Sequence, residues 1–363
     1  MKTLWLADLY PTEVTNEIFR QKDIPTLFGD TLSLFHRNDF NCVNLECALT
    51  ETDGAIEKFG PNLKACAETA DIMKEIGVDL VGISNNHVFD YGKKGALDTI
   101  AELDRVGLPY TGFGNNYEDS RKNYYFEKDG ETIAVVAVCE HEYSYALENR
   151  MGSRPFDVFE TIEDIREAKS RADRVIVLYH GAKELCHYPS PRIRRVCRAM
   201  IRAGADLVTC QHTHCICGYE NYEGGHILYG QGNFHFVKAN ADDIWRRAVA
   251  IEYDTTANTV NFVPTVANET GIELAKGQVY DEIMAQLEDL SASLHDGRWK
   301  EGWHAFCMEL APKFIRRVGE GGGENVDLLA RPAQIFAHYF DCEAHHDVLA
   351  ELYQTANLRN ELD

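Results

Sequence analysis

The chain has 363 residues, 45% hydrophobic and 26% charged, the composition of a globular protein with room for a substantial core. Its formal net charge of -22 argues against nonspecific binding to nucleic acid or anionic membrane, so an anionic substrate must meet a local positive charge such as bound metal. Nothing resembles a signal peptide, no stretch approaches the ~20 apolar residues of a spanning helix, and the 11 scattered cysteines read as reduced, buried thiols of a cytoplasmic protein.

Residues 3–7 are apolar and stop at Asp8, which gives a first predicted strand with a carboxylate at its tip; Asp8 reads equally well as a helix N-cap. A helix is predicted over 13–21, and a second short strand over 41–45 ends in Glu46. A helix over 65–76 closes on Gly77, a buried strand over 78–83 gives way to the polar run S-N-N-H-V-F-D-Y-G at 84–92, and a helix over 95–106 closes on Gly107. Repeated helix, glycine, strand units point to an α/β fold with a mostly parallel sheet. Strands over 124–128 and 132–138 flank Asp129-Gly130, a tight-hairpin signal, so the sheet is not purely parallel.

Further on, a helix over 160–172 precedes a strand over 175–179 with His180 at its end, and a helix over 191–203, capped by Gly204, precedes a strand over 206–210 that runs into Gln211-His212-Thr213-His214. Residues 227–229 lead into 230–236, and alternating runs at 248–253 and 259–263 read as a closing strand pair. From about 277 the pattern is helical, over 279–294, 302–318 and 333–355, with a glycine-rich break at 319–323. The expected organisation is an α/β domain over 1–265 and a helical C-terminal extension over 266–363.

Five predicted strand ends therefore carry Asp8, Glu46, Asn86 with His87, His180, and His212 with His214. Open α/β sheets place ligands at the carboxyl ends of their strands. Taken alone, Asn85-Asn86-His87 also fits a hydrogen-bonded turn. Carboxylate, amide and imidazole together make a mixed oxygen and nitrogen set suited to manganese, iron or zinc, and burying so many polar groups without a common partner is costly. The two histidines of H-x-H can serve one metal or bridge two.

In order, Asn44-Leu45-Glu46, the 84–92 run, Tyr179-His180-Gly181-Ala182-Lys183-Glu184, G-A-D-L-V-T-C-Q-H-T-H at 204–214 and Tyr229-Gly230-Gln231-Gly232-Asn233-Phe234 resemble the signature of the CapA family. That family is linked to capsule and poly-γ-glutamate synthesis and is similar to calcineurin-like metallophosphoesterases. The resemblance spans roughly 1–265 and implies a four-layer αββα sandwich, two sheets between helices, with two divalent metal ions along one edge. It implies that Asp8 holds the first metal, that Glu46 bridges, that Asn86, His180 and His212 hold the second, and that His214 returns to the first. His87 would protonate a leaving oxygen or stabilise the phosphoryl group, with Asp90 either orienting it or simply occupying an N-terminal helix position. Glu184 is either a supporting partner or a solvated charge, and Asn233 is expected to shape a turn near the site.

The implied activity is hydrolysis of a phosphoester by a hydroxide shared between two metals, with an anionic small molecule or polymer as substrate. Two other readings stand beside it: an accessory protein that binds a polyanion through the metals, and a hydrolase of γ-glutamyl amides. The oligomeric state is left open. Relative to the wider phosphoesterases, Tyr10 replaces a histidine, Glu46 an aspartate, Gln211 a glycine, and Thr213 stands where the CapA pattern has proline. Cys210, Cys215 and Cys217 flank the histidines and read either as core thiols or as a zinc site. Arg192, Arg194, Arg195 and Arg198 share one predicted helix, as a guide for an anionic polymer or as a solvated face. Gly112-Phe113-Gly114 and 319–323 are read as loops.

Overall fold

The computed structural model describes residues 1–320 and 331–358. Alternation along the strands sets its layers, because successive side chains of a strand point to opposite faces. In Lys2–Leu9, Leu4 and Leu6 enter one apolar cluster while Trp5 enters another. In Glu131–Cys139, Ala134, Val136 and Val138 face helices, whereas Ile133, Val135 and Ala137 share the cluster that holds Trp5. That shared cluster is the seam between two sheets.

The first sheet runs in the order Ile272–Leu274, Thr259–Ala267, Arg247–Asp254, Lys2–Leu9, Phe40–Leu45, Leu80–Gly82, Tyr110–Thr111, with Asn233–His235 also paired to Lys2–Leu9. The second runs Tyr219–Tyr222, Gly225–Leu228, Leu207–Gln211, Arg174–His180, Glu131–Cys139, Tyr124–Lys128. Both have parallel centres; the second is antiparallel at both margins, and the first is antiparallel on the side of Arg247–Asp254 and parallel out to its other edge at Tyr110–Thr111. Asn16–Arg20, Glu68–Glu75 and Gly92–Val106 cover the outer face of the first sheet, and Val158–Arg171 and Pro191–Ala203 that of the second. The result is the expected four-layer αββα sandwich. The predicted hairpin also forms: Asp129 and Gly130 take φ of 55° and 79°, the left-handed pair that a two-residue loop between twisted strands requires.

Several expectations are corrected. The helix expected over 13–21 is only Asn16–Arg20, and two short helices, Ile24–Phe28 and Leu32–Arg37, follow it. Pro25 at the start and Gly29 at the end of the first of these break the apolar periodicity, although Asp23 caps it through the Thr26 backbone N–H. Phe113–Gly114 is a short strand paired with Gly152–Ser153, not a loop. The helix expected over 333–355 is two, Arg331–Asp341 and Glu343–Leu358, interrupted at Cys342. Gly319 lies inside the helix Arg298–Glu320, and 321–323 fall outside the described residues.

Past residue 265 the strand Thr259–Ala267 continues and Ile272–Leu274 adds a last strand before the helices begin at Gly277. Ile283, Leu287 and Leu290 of Gly277–Asp296 seal one end of the inter-sheet seam. The later helices build a separate cluster around Trp303, Cys307, Phe314, Ile335, Tyr339 and Val348. At three positions of the arginine helix the side chains are tied into ion pairs with neighbouring elements rather than forming a freely solvated face. Arg192 pairs with Glu140 and Asp347, and Arg194 and Arg198 both pair with Glu220.

Candidate metal centre

The site lies where the two sheets end side by side. At Asp8 the register between Lys2–Leu9 and Phe40–Leu45 shifts, a bulge of the kind that re-aims a side chain, and Asp8 sits opposite Asn44. Asn44 Nδ2 donates to Asp8 Oδ1 at 2.7 Å, and Asn44 Oδ1 accepts from Asn85 Nδ2 at 3.1 Å. Asn85 Oδ1 accepts the backbone N–H groups of His87 and Val88 at 3.1 and 3.0 Å, a side-chain turn that turns the chain and leaves its neighbour Asn86 facing the centre. The two asparagines thus divide between support and site. Asn86 Oδ1 lies 2.9 Å from His180 Nε2, at the end of Arg174–His180.

Glu46 is fully buried, and neither carboxylate oxygen has a hydrogen-bond partner. Its Oε1 lies 3.3 Å from His180 Nε2 and 4.0 Å from His212 Nδ1, itself buried and unpartnered. His212 and His214 both take left-handed backbone conformations, φ 79° and 53°, strained geometry for histidine that swings both rings toward one point. The turn is held by Asp8 Oδ2, which accepts the His212 backbone N–H at 3.1 Å. Ligand atoms of Glu46, His212 and His214 all lie within 4.8 Å of one another, and His214 Nδ1 lies 3.6 Å from Asp8 Oδ2.

All six of Asp8, Glu46, Asn86, His180, His212 and His214 therefore converge, linked by the contacts above. Burial, reinforced by Glu46, pushes Asp8 up to about 7, and burial pushes Glu46 up to about 8. Burial also lowers His180 and His214 to about 3. At His212 burial acts the same way, but Glu142, Glu184 and Glu46 outweigh it and hold the imidazole above its ordinary value. An unpartnered buried carboxylate facing imidazole nitrogens is expensive as it stands, and divalent cations supply the missing partner, so the donor set fits the metals that the sequence implied.

His87 stands beside the centre. Its Nδ1 donates to Asp90 Oδ2 at 2.6 Å, Lys58 donates to Asp90 Oδ1, and Asp90 also accepts the Leu63 backbone N–H at 2.7 Å. Asp90 does lie at the N-terminal approach to a helix, just before its cap Tyr91 and first residue Gly92, and its carboxylate is spent on His87, Lys58 and the Leu63 backbone. Asn233 does more than shape a turn, because its Oδ1 accepts from His214 Nδ1. Glu184 is half exposed and pairs with Lys183. Cys210, Cys215 and Cys217 are buried thiols of the apolar cluster against the helices, as the core reading expects, and among the described residues neither cluster of metal-ligating groups includes them.

Sequence reasoning missed Lys58 and Glu142. Glu142 Oε2 accepts from Asn86 Nδ2 at 2.7 Å, and its Oε1 lies 4.0 Å from His212 Nε2. The signal was present: the strand Glu131–Cys139 ends in Glu140-His141-Glu142, an apolar run stopped by polar residues like the other five.

Residues 5–238 match the family described as bacterial capsule synthesis protein PGA_cap. This chain belongs to that family. Among curated relatives, this family member is 32% identical over 251 residues to "Capsule biosynthesis protein CapA" of Bacillus anthracis, covering 67% of this chain and 60% of that protein. It is 29% identical over 252 residues to "PGA biosynthesis protein CapA" of Bacillus subtilis (strain 168), covering 67% and 64%. It thus spans less than two thirds of the length of either relative. Among solved structures it is similar to a 5'-nucleotidase from Candida albicans SC5314, at 12% identity and a TM-score of 0.44, over 83% of this chain and 57% of that one. Among the described residues no helix is long and apolar enough to cross a membrane.

Proposed function

We propose that this PGA_cap-family protein is a metal-dependent phosphoesterase acting in capsule or polyglutamate metabolism. The observation that carries the reading is the unpartnered, fully buried Glu46 carboxylate facing His180 and His212. Asp8, Glu46 and His214 would hold one divalent ion and Asn86, His180 and His212 a second, with Glu46 shared between them. Bound there, the cations would supply the positive charge that stabilises a phosphoryl group in displacement.

The chain's own residues do the rest. Asp90 anchors His87 through Nδ1, which leaves Nε2 as the nitrogen that exchanges a proton with a leaving oxygen. A cavity of about 170 Å³ beside Asn86 is lined by Lys58, Lys183 and Lys313 together with Glu142 and Glu184; Lys58 is paired with Asp90 and Lys183 with Glu184, so the positive charge that draws an anion there would come chiefly from the cations.

The test is hydrolysis of aryl phosphomonoesters and phosphodiesters by manganese-loaded protein. Activity should vanish in His212→Ala and on chelation. Turnover that survives either one defeats the reading. The names of the curated relatives speak of biosynthesis rather than hydrolysis, which favours a second reading, an accessory protein that binds polyanion through the same metals. Metal-dependent binding of poly-γ-glutamate with no turnover across the ester panel would select it.

A further inference from the structure

The C-terminal helices bring two histidines to the mouth of the centre. His338 lies in the last turn of Arg331–Asp341 and His345 in the first turn of Glu343–Leu358, with Cys342 alone between the helices. Both lie beyond the residues that match the family. Their rings meet edge to face with centroids 4.7 Å apart, and ligand atoms of His338, His345 and Glu142 all lie within 4.8 Å of one another.

Two observations separate this cluster from an ordinary buried histidine pair. Each histidine is 7% exposed, yet His345 Nδ1 has no hydrogen-bond partner, whereas buried polar atoms are normally satisfied. The rings are instead fixed from the sides: Tyr339 stacks on His345 at 4.6 Å and Tyr143 on His338 at 4.8 Å. Glu142 is likewise oriented, because Oε2 accepts from Asn86 and Oε1 accepts from Cys342 Sγ at 3.1 Å, while each oxygen keeps a further lone pair. Aromatic walls fix the orientation of the donors and leave their nitrogen and oxygen atoms to a ligand.

We propose that Glu142, His338 and His345 form a separate site for one zinc-class divalent ion, which fastens the C-terminal helices to the rim of the main centre. Two imidazoles and one carboxylate are a zinc-type donor set, and three protein ligands leave a fourth position. The same three residues line the cavity that also holds His87 and Lys58, so that position faces the space where an anion would sit. The site draws none of its three ligands from the main set, and it holds whether or not the protein is a phosphoesterase.

The experiment uses the full chain stripped of metal and reloaded with zinc alone. Zinc retained after desalting is counted, and amide hydrogen exchange is followed in Glu343–Leu358. The double variant His338→Gln with His345→Gln should retain one zinc fewer than the wild type. Zinc should slow exchange in that helix by about tenfold or more in the wild type and in His212→Ala, but not in the double variant. Equal zinc content in wild type and double variant overturns the proposal. So does an exchange rate in the wild-type helix that zinc leaves unchanged, a readout that stands even if the double variant fails to fold. Loss of zinc only in His212→Ala would count against the third site and leave the main centre intact; the reverse pattern would spare this proposal and count against the main one.

Discussion

Asn233 holds His214 by one nitrogen: its Oδ1 accepts from His214 Nδ1 at 2.8 Å, while its own Nδ2 donates to the Trp245 backbone carbonyl at 3.1 Å. The second bond fixes which end of the amide faces the ring. The first therefore fixes the histidine's tautomer, with the proton on Nδ1 and the lone pair on Nε2. Trp245 also packs against the ring, with centroids 4.5 Å apart. Asn233→Leu should weaken metal binding by roughly 10- to 100-fold, the usual effect of removing a partner that orients a ligand. Asn233→Asp, which keeps an acceptor, should lose much less. Competition with a chromophoric chelator measures both, and equal affinity in Asn233→Leu and wild type would mean that the tautomer is set elsewhere.

A second prediction concerns the turn behind the histidines. A Cβ at Gly230 would meet Cys217 Sγ and Thr213 Oγ1 at 2.5 Å and the Cys215 carbonyl at 2.8 Å. All three belong to the segment that carries His212 and His214, and Cys217 is bonded to Gly230 through its backbone N–H at 3.0 Å. Gly230→Ala should therefore push the turn toward the centre, costing about 1–3 kcal/mol of stability and weakening metal binding as well. Urea unfolding together with metal titration separates the two effects. Unchanged affinity alongside lowered stability would show that the turn yields outward instead.

The strand tips were legible because the fold writes them plainly: a short apolar run stopped by a carboxylate, amide or imidazole marks Asp8, Glu46, Asn86, His180 and His212, and the glycines closing the helices mark where each unit turns back. The bulge at Asp8 was not legible, since a register shift is a property of two strands and neither sequence carries it alone. Lys58 lies in a segment without periodicity, and its meaning comes only from Asp90 across the fold. His338 and His345 sit on helices whose apolar spacing reads as core, and the carboxylate they face is about two hundred residues earlier in the chain. Local pattern reports burial there, but not what the buried nitrogen atoms face.

The third prediction is a pH dependence of stability from a histidine outside the candidate ligand set, on the strand that pairs beside Asp8. His235 is fully buried, its ring is packed between Phe19 and Phe28 with centroids 5.0 and 5.1 Å away, and neither ring nitrogen has a hydrogen-bond partner. Burial lowers its pKa from an ordinary 6.5 to about 4. The folded protein therefore resists a proton that the unfolded chain accepts. Its contribution is intact above pH 6.5, declines as the pH falls from 6.5 toward 4, and amounts to about 3 kcal/mol over that interval. His235→Leu, which keeps the apolar packing and removes the titrating group, should flatten the fall in melting temperature between pH 7 and pH 4.5 relative to wild type. Parallel curves for the two proteins would assign the acid sensitivity to other groups and refute a neutral, solvent-excluded His235.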